Sequence, residues 1–196
     1  MRGKFSKIEK LVEAAIDEFS AHTYYEASLN RILKRAGVSK GEFYYHFGNK
    51  EELYLYILNL IVEKKKENLS KVLKKKPNGF FELLEMGIKA NIEMFRKYPK
   101  LSRMNFQLLK VRDKPIYRKV LTQFEDVSIE FLEKYVRQGV EEGEIRDDIP
   151  LEFLIKFLNM VFFHLNELYE DEIDIDRMEE YLSYLIKVLK HGLIKR

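Results

Sequence analysis

The sequence predicts an all-α protein, with a small N-terminal domain of three helices and a larger helical domain behind it. Apolar residues recur every three or four positions along most of the chain, which is the spacing of amphipathic helices. No segment alternates apolar and polar residues as a half-buried strand does. Proline and glycine interrupt the pattern where helices would end, at residues 77–79, Pro99, Pro115 and Gly143.

Composition excludes several classes of protein. The chain has 196 residues, of which 46% are hydrophobic and 34% charged, a balance typical of a folded globular protein. It contains no cysteine, which excludes disulfides, thiol catalysis and zinc–thiolate sites. No apolar run approaches the ~20 residues of a membrane-spanning helix, and residues 1–10 lack the apolar segment of a signal peptide. We therefore expect a cytoplasmic protein that does not span a membrane.

The two ends of the sequence carry opposite charge. Lys and Arg outnumber Asp and Glu by 22 to 13 in residues 1–110, whereas Asp and Glu outnumber Lys and Arg by 19 to 13 in residues 111–196. A basic front and an acidic back would orient the molecule on DNA, because phosphate attraction is the part of binding that does not depend on sequence.

The first two helices and the turn after them lie within residues 8–38. Apolar residues at helical spacing predict a first helix from Ile8 to Phe19. A second, short helix is predicted for residues 28–35, and Gly37 follows it. Glycine suits the left-handed conformation just past a helix end, so a tight turn is predicted there.

Ser39 and Glu42 predict the start of the third helix. Their spacing is that of a capping box, in which the serine hydroxyl accepts from the glutamate amide and the glutamate carboxylate accepts from the serine amide. Phe43 and Phe47 lie four residues apart and face inward together. Asn49 then provides the N-cap of a fourth helix.

A helix, a short turn and a second helix of this size are typical of the DNA-binding helix-turn-helix. The residues left on the outside of the third helix are Lys40, Gly41, Tyr44, Tyr45 and His46. All but Gly41 can donate a hydrogen bond to phosphate, and glycine lets the backbone approach DNA closely. The alternative is that the aromatic residues form core, but adjacent Tyr44, Tyr45 and His46 point in different directions. The pattern therefore favours DNA contact.

The segment from Ile8 to about Leu60 resembles the DNA-binding domain of the TetR/AcrR family of transcriptional repressors. The residues that carry the resemblance are Ala14, Ala15, Phe19, Tyr24, Ser28, Ile32, residues 36–41, Tyr44, His46, Phe47, Lys50, Glu51 and Leu53. Thr23, Ala27 and Glu42 depart from the family pattern, which has glycine, threonine and a small or hydroxyl residue there. The resemblance implies a homodimeric repressor that binds a palindromic DNA operator and releases it on binding a small, hydrophobic effector.

Eight residues are predicted to bind DNA, namely Ser28, Ser39, Lys40, Gly41, Tyr44, Tyr45, His46 and Lys50. Lys40 and Tyr45 are predicted to meet base edges. Tyr44, His46 and Lys50 are predicted to hold phosphates, while the two serines offer hydroxyls and amides at helix N-termini. Glu42 is either only a cap or an acceptor for a cytosine amino group.

The DNA-binding domain is predicted to cover residues 1–48, and a ligand-binding and dimerisation domain residues 49–196. A long fourth helix begins near Asn49 and extends to about Lys75, so it would connect the two domains. Five more helices are predicted at residues 80–97, 99–112, 115–142, 150–170 and 176–192.

The last two helices are predicted to form the dimer interface. The helix at residues 150–170 has a heptad stripe of Leu151, Leu154, Leu158, Val161, Leu165 and Leu168, and a second stripe of Phe153, Phe157, Met160 and His164. One stripe can pack in the chain's own core and the other on a second subunit. The last helix carries a similar stripe of Met178, Tyr181, Leu182, Leu185, Val188, Leu189 and Gly192. The alternative is one thoroughly buried helix in a monomer.

An effector pocket is predicted beside the helix at residues 80–97. Its candidate residues are Leu84, Gly87, Asn91 and Phe95, with Phe106, Phe124 and His164 from other helices. Glycine within a helix costs ~1 kcal/mol relative to alanine, and a buried asparagine wants a polar partner. The alternative is a close helix crossing at Gly87, an Asn91 bonded to a neighbour, and aromatic residues that are plain core.

Enzymatic activity is not expected, and neither is a cofactor. A helical-bundle metal enzyme would need Glu-x-x-His pairs, and none of the four histidines has a glutamate three residues before it. A metal-dependent enzyme and a purely structural dimer remain as alternatives. Salt-dependent DNA binding, against metal content or turnover, discriminates between them.

Overall fold

The computed structural model describes residues 7–163 and 175–194, with side chains except those of residues 124–131, 163 and 175. This part of the chain is α-helical without a strand, and one isolated bridge joins Ile145 to Ile194. The prediction of an all-α fold is confirmed. The helices are α1 (Lys7–Ala21), α2 (Leu29–Ala36), α3 (Lys40–His46), α4 (Lys50–Lys74), α5 (Phe80–Lys97), α6 (Pro99–Leu109), α7 (Pro115–Glu141), α8 (Leu151–Phe163) and α9 (Ile175–Leu193).

The chain forms two compact units. The first comprises the described residues up to Lys64 together with Tyr98–Arg118, and the second comprises Lys65–Lys97 and the described residues from Lys119 onward. Helix α4 thus contributes residues to both units, and α6 belongs to the first. The predicted functional boundary between residues 48 and 49 stays a prediction.

The core of the first unit is built from α1 to α4. Phe19, Ile32, Phe43 and Leu53 are fully buried, and the ring of Phe19 packs edge-on against Tyr54 with centroids 4.8 Å apart. Helix α6 packs on α1, where the Gln107 amide donates to the Ser20 carbonyl over 3.4 Å. The buried core, to which α2 contributes Ile32 and α3 contributes Phe43, stabilises these two helices, which are too short to be stable alone.

The core of the second unit gathers apolar residues from α5, α7, α8 and α9. Val136, Ile145, Leu154 and Leu158 are almost completely buried in it. The Glu144 carboxylate caps the start of α5 by accepting from the amides of Phe80 and Phe81. The Cβ of any other residue at Gly79 would lie 2.3 Å from that carboxylate, at a φ of +101°.

The structure separates the two stripes of α8. Leu154 and Leu158 of the heptad stripe are buried in the chain's own core, and Leu151 packs against it. Phe153 and Met160 of the second stripe are 58% and 55% exposed. Leu165 and Leu168 lie outside the described residues. Phe157 of the second stripe is half-buried against that core, and His164 lies outside the described residues. The use of this stripe as a dimer surface stays a prediction.

No described helix combines the length and the apolar character that crossing a membrane requires.

Candidate nucleic-acid interface

The turn between α2 and α3 has the predicted geometry. Ser28 caps α2 by accepting from the Arg31 amide over 3.4 Å. Gly37 ends α2 in the left-handed conformation, with φ 66° and ψ 34°, and the amide of Val38 donates to the Leu33 carbonyl over 3.1 Å. Val38 is buried below this corner. The turn fixes the direction in which α3 leaves α2.

The start of α3 is held by the predicted capping box. The Glu42 amide donates to the Ser39 hydroxyl over 3.2 Å, and the Ser39 amide donates to the Glu42 carboxylate over 2.9 Å. The Lys7 ammonium on α1 forms an ion pair with the same carboxylate. This hydrogen bond from Lys7, with those from Ser39, lowers the pKa of Glu42 to about 2. The sequence predicted the box but not Lys7, which lies 35 residues away.

The outer surface of α3 presents polar and aromatic side chains to solvent. Tyr45 is 84% exposed and Tyr44 56% exposed, and Lys40 and His46 are exposed too. Phe43 and Phe47 are buried. The alternative that Tyr44 and Tyr45 are core residues is therefore wrong.

Gly41 leaves free space on this surface, because an added Cβ there would meet no atom within 4 Å. A cavity of about 260 Å³ opens beside it between α1 and α3. Ile8, Leu11, Val38 and Tyr45 are among the residues that line it.

Ser28 and Lys50 are placed differently from the other predicted DNA-binding residues. Both are half-buried. The Lys50 ammonium donates to the carbonyls of Tyr24 and Ala27 over 2.7 and 2.8 Å, and lies 4.5 Å from the centroid of the Tyr24 ring. Burial lowers the pKa of Lys50. In this structure Lys50 braces the start of α4 against the chain before α2, and its contact with phosphate stays a prediction.

The departures at Thr23 and Ala27 are accommodated locally. Both the amide and the hydroxyl of Thr23 donate to the Glu26 carboxylate, over 3.1 and 2.7 Å, which closes the corner after α1. Lys76 is the one non-glycine residue with positive φ in the described part of the chain, so Thr23 is not strained in that way. Ala27 is buried, and Ser28 takes over the cap.

The predicted effector residues that the structure describes are divided between the two compact units. Leu84 and Phe95 are half-buried against the core clusters of the second unit, Asn91 is exposed, and Phe106 belongs to the first unit. Because Asn91 is exposed, it does not need the polar partner that a buried asparagine would require. The Phe124 side chain and His164 lie outside the described residues. None of the five candidates that the structure describes in full lines the cavity between α1 and α3, and the pocket stays a prediction.

The described part of the chain contains no cluster of metal-binding side chains. No three His, Asp or Glu residues there lie close enough together to hold a metal ion.

Known proteins resemble this chain in sequence and in fold. Residues 11–57 match the family model described as bacterial regulatory proteins, tetR family. The HTH-type transcriptional repressor AcnR of Corynebacterium glutamicum is 27% identical over 154 residues, which cover 78% of this chain and 76% of the relative. The fatty acid metabolism regulator protein of Bacillus subtilis is 22% identical, with 77% of each chain covered.

Solved structures share the fold. A TetR family transcriptional regulator from Chloroflexus aurantiacus superposes with a TM-score of 0.67 at 24% identity, covering 97% of this chain and 94% of that one. The fatty acid degradation regulator FadR from Bacillus halodurans superposes with a TM-score of 0.66 at 21% identity over the whole of both chains.

A capped helix-turn-helix whose second helix is exposed, within a segment that matches the tetR family model, is typical of a DNA-binding transcriptional regulator. The chain resembles TetR-family transcriptional regulators, in sequence over residues 11–57 and in the fold of the whole chain. The relatives named above are regulators rather than enzymes, and the alternatives of a metal-dependent enzyme and a purely structural dimer are not favoured.

Proposed function

We propose that the protein is a transcriptional repressor that binds a palindromic operator as a homodimer and releases it when a small, apolar effector binds. The observation that carries the proposal is the outer face of α3, where Lys40, Tyr44, Tyr45 and His46 are exposed on a helix whose inner face is buried. Such a protein acts on chromosomal DNA, and so in the cytoplasm.

The contacts follow from where each side chain lies on α3. Lys40 and Tyr45 meet base edges in the major groove, while Tyr44 and His46 hold phosphates on its walls. Gly41 lets the helix approach closely, since no side chain stands between its backbone and the groove. Ser28 and Ser39 direct the amides of two helix N-termini towards phosphate, which favours negative charge at those ends.

Apolar side chains exposed on α8 and α9 support the dimer. The rings of Phe153 and Phe157 stack on α8 with centroids 6.2 Å apart, and Met160 follows one turn on. On α9, Tyr184 and Val188 are 49% and 69% exposed. Pairing these helices with their symmetry mates would remove this apolar surface from water and give an isologous interface.

Dimerisation sets the spacing of the two recognition helices. They must enter major grooves about 34–36 Å apart, one turn of DNA. An effector that changes this spacing weakens operator binding. Helix α4 is the candidate route, because its residues contribute to both compact units.

The test is binding to the DNA just upstream of the protein's own gene, titrated against salt and against a scrambled duplex. We expect tight binding to the first duplex, with an affinity that falls steeply as salt rises. Tyr44→Phe removes one phosphate donor, so it should weaken all duplexes alike by about tenfold. A change of base preference would contradict the role of Tyr44. Absence of binding to every duplex at low salt would overturn the proposed function.

A further inference from the structure

One lysine of the second unit lies beside an aromatic ring and has no acidic partner among the described side chains. The Lys65 side chain on α4 is half-buried, and its ammonium lies 5.9 Å from the centroid of the Phe95 ring on α5. Among the side chains that the structure describes, no carboxylate forms an ion pair or a hydrogen bond with Lys65.

Burial lowers the pKa of Lys65, because the loss of water disfavours the charged form. Buried charges in folded proteins are ordinarily paired, since an uncompensated one is costly. Two other half-buried lysines of α4 belong to the first unit, where Lys50 donates to two carbonyls and the Lys64 ammonium lies over the Tyr98 ring. Within the second unit, the α4 lysines Lys66 and Lys74 are exposed. Lys65 is therefore placed where an anion from outside the chain would be stabilised.

Helix α5 offers an apolar wall beside this ammonium. Phe95 and Ile88 pack on a buried cluster of Ile92, Met178 and Leu182. Two turns earlier on α5, Gly87 is half-buried, yet an added Cβ there would meet no atom of the described residues within 4 Å. Aromatic and apolar side chains next to unfilled space suit the body of an apolar ligand.

We propose that Lys65 binds the anionic head of the effector, whose apolar body lies along α5 beside Phe95 and Gly87. The inference rests on the proposed function, because it names the chemical class of that effector as an amphipathic anion. A carboxylate or a phosphate head would each supply the missing counter-charge. Charge-assisted hydrogen bonds of this kind change affinity by about tenfold to a hundredfold.

The test uses four probes that share one alkyl chain: decanoate, decyl phosphate, decanol and decyltrimethylammonium. Their affinities for the full-length protein are measured by calorimetry below the concentrations at which they form micelles. Lys65→Met removes the charge and keeps most of the apolar stem, whereas Lys65→Arg keeps the charge. Lys74→Met, an exposed lysine on the same helix, is the matched control. Thermal unfolding checks that each variant is folded.

We expect wild type, Lys65→Arg and Lys74→Met to bind at least one anion about tenfold or more tighter than the alcohol. Lys65→Met should bind that anion no better than the alcohol. The comparison of decanoate with decyl phosphate identifies which head the site takes. Equal affinities of wild type and Lys65→Met for both anions, or no preference of wild type for an anion, overturn the inference.

Operator binding by the same variants separates the two claims. Lys65→Met should bind the operator as wild type does but keep it when the anion is added. If no variant, wild type included, binds the operator, the proposed function fails, even where anion binding depends on Lys65. If operator binding is intact and anion binding is indifferent to Lys65, only the inference fails.

Discussion

Helices α3 and α5 differ in the range of the interactions that position their residues. On α3, Ser39 and Glu42 are three residues apart and set the start of the helix, and Gly37 sets its direction. On α5, the surroundings of Phe95 are supplied by Met178 and Leu182, more than eighty positions along the chain. A site built from neighbours along the chain is visible in a sequence, whereas a site built from distant segments depends on packing.

The largest contrast is expected between the inner and outer faces of α3. Phe43→Ala removes a fully buried ring and should lower the free energy of unfolding by about 3–5 kcal/mol. Tyr45→Ala changes a side chain that is 84% exposed, so it should change the free energy of unfolding by less than about 0.5 kcal/mol. Denaturant unfolding measures both. The Tyr45→Ala protein should nevertheless bind the operator more weakly than wild type. A folded variant that binds the operator as tightly as wild type would contradict a base contact by Tyr45.

The same contrast explains what the sequence could predict. Caps, turn glycines and helix-breaking prolines act over a few residues, and the predicted bounds of α4 and α5 agree with the structure to within about a turn. The inward direction of Lys50 could not be predicted, because its carbonyl partners lie 23 and 26 residues away. The exposure of Asn91 could not be predicted either, because helical spacing marks a face without telling what covers it.

The exposed stripe of α8 extends the comparison to the subunit interface. Phe153→Glu places a charge in the proposed dimer surface and should weaken dimerisation by about 2–4 kcal/mol. Analytical ultracentrifugation over a dilution series measures this. Lys156→Ala, three residues away in an exposed ion pair with Glu152, is the control and should change little. A Phe153→Glu protein that stays as dimeric as wild type would place the interface elsewhere.

Gly79 and Gly87 differ in the space around them: a carboxylate occupies the place of a Cβ at Gly79, whereas no described atom does so at Gly87. Gly79→Ala should destabilise the protein by about 1–3 kcal/mol, because φ is +101° and the Glu144 carboxylate occupies the place of the Cβ. Gly87→Ala should stabilise it by up to about 1 kcal/mol, since alanine favours the helix and meets no atom within 4 Å. Thermal unfolding compares the two. Destabilisation by Gly87→Ala would remove the evidence for space beside α5.

The smallest effect on stability is expected at Glu42. Its carboxylate takes part both in the cap with Ser39, three residues away, and in the ion pair with Lys7, 35 residues away. The hydrogen bond from Lys7, followed by those from Ser39, lowers the pKa of Glu42 from 4.5 to about 2. Between these values the unfolded chain binds the proton and the folded chain does not. The stabilisation is therefore complete above pH 4.5 and is lost as the pH falls towards 2.

Glu42→Gln keeps the shape of the cap and removes the charge, so it should unfold at a lower temperature than wild type near neutral pH. The gap should close as the pH falls from 4.5 towards 2, whereas a gap that stays constant would contradict the ionised cap. Lys7→Met tests the long-range half, because it removes the ion pair and leaves Ser39 in place. In the Lys7→Met background, the same difference in unfolding temperature is measured with and without Glu42→Gln. If this difference disappears at a higher pH than it does with Lys7 present, both the ion pair and the cap hold the start of α3. Unchanged base preference in Glu42→Gln would then leave Glu42 as a cap and exclude cytosine as its partner.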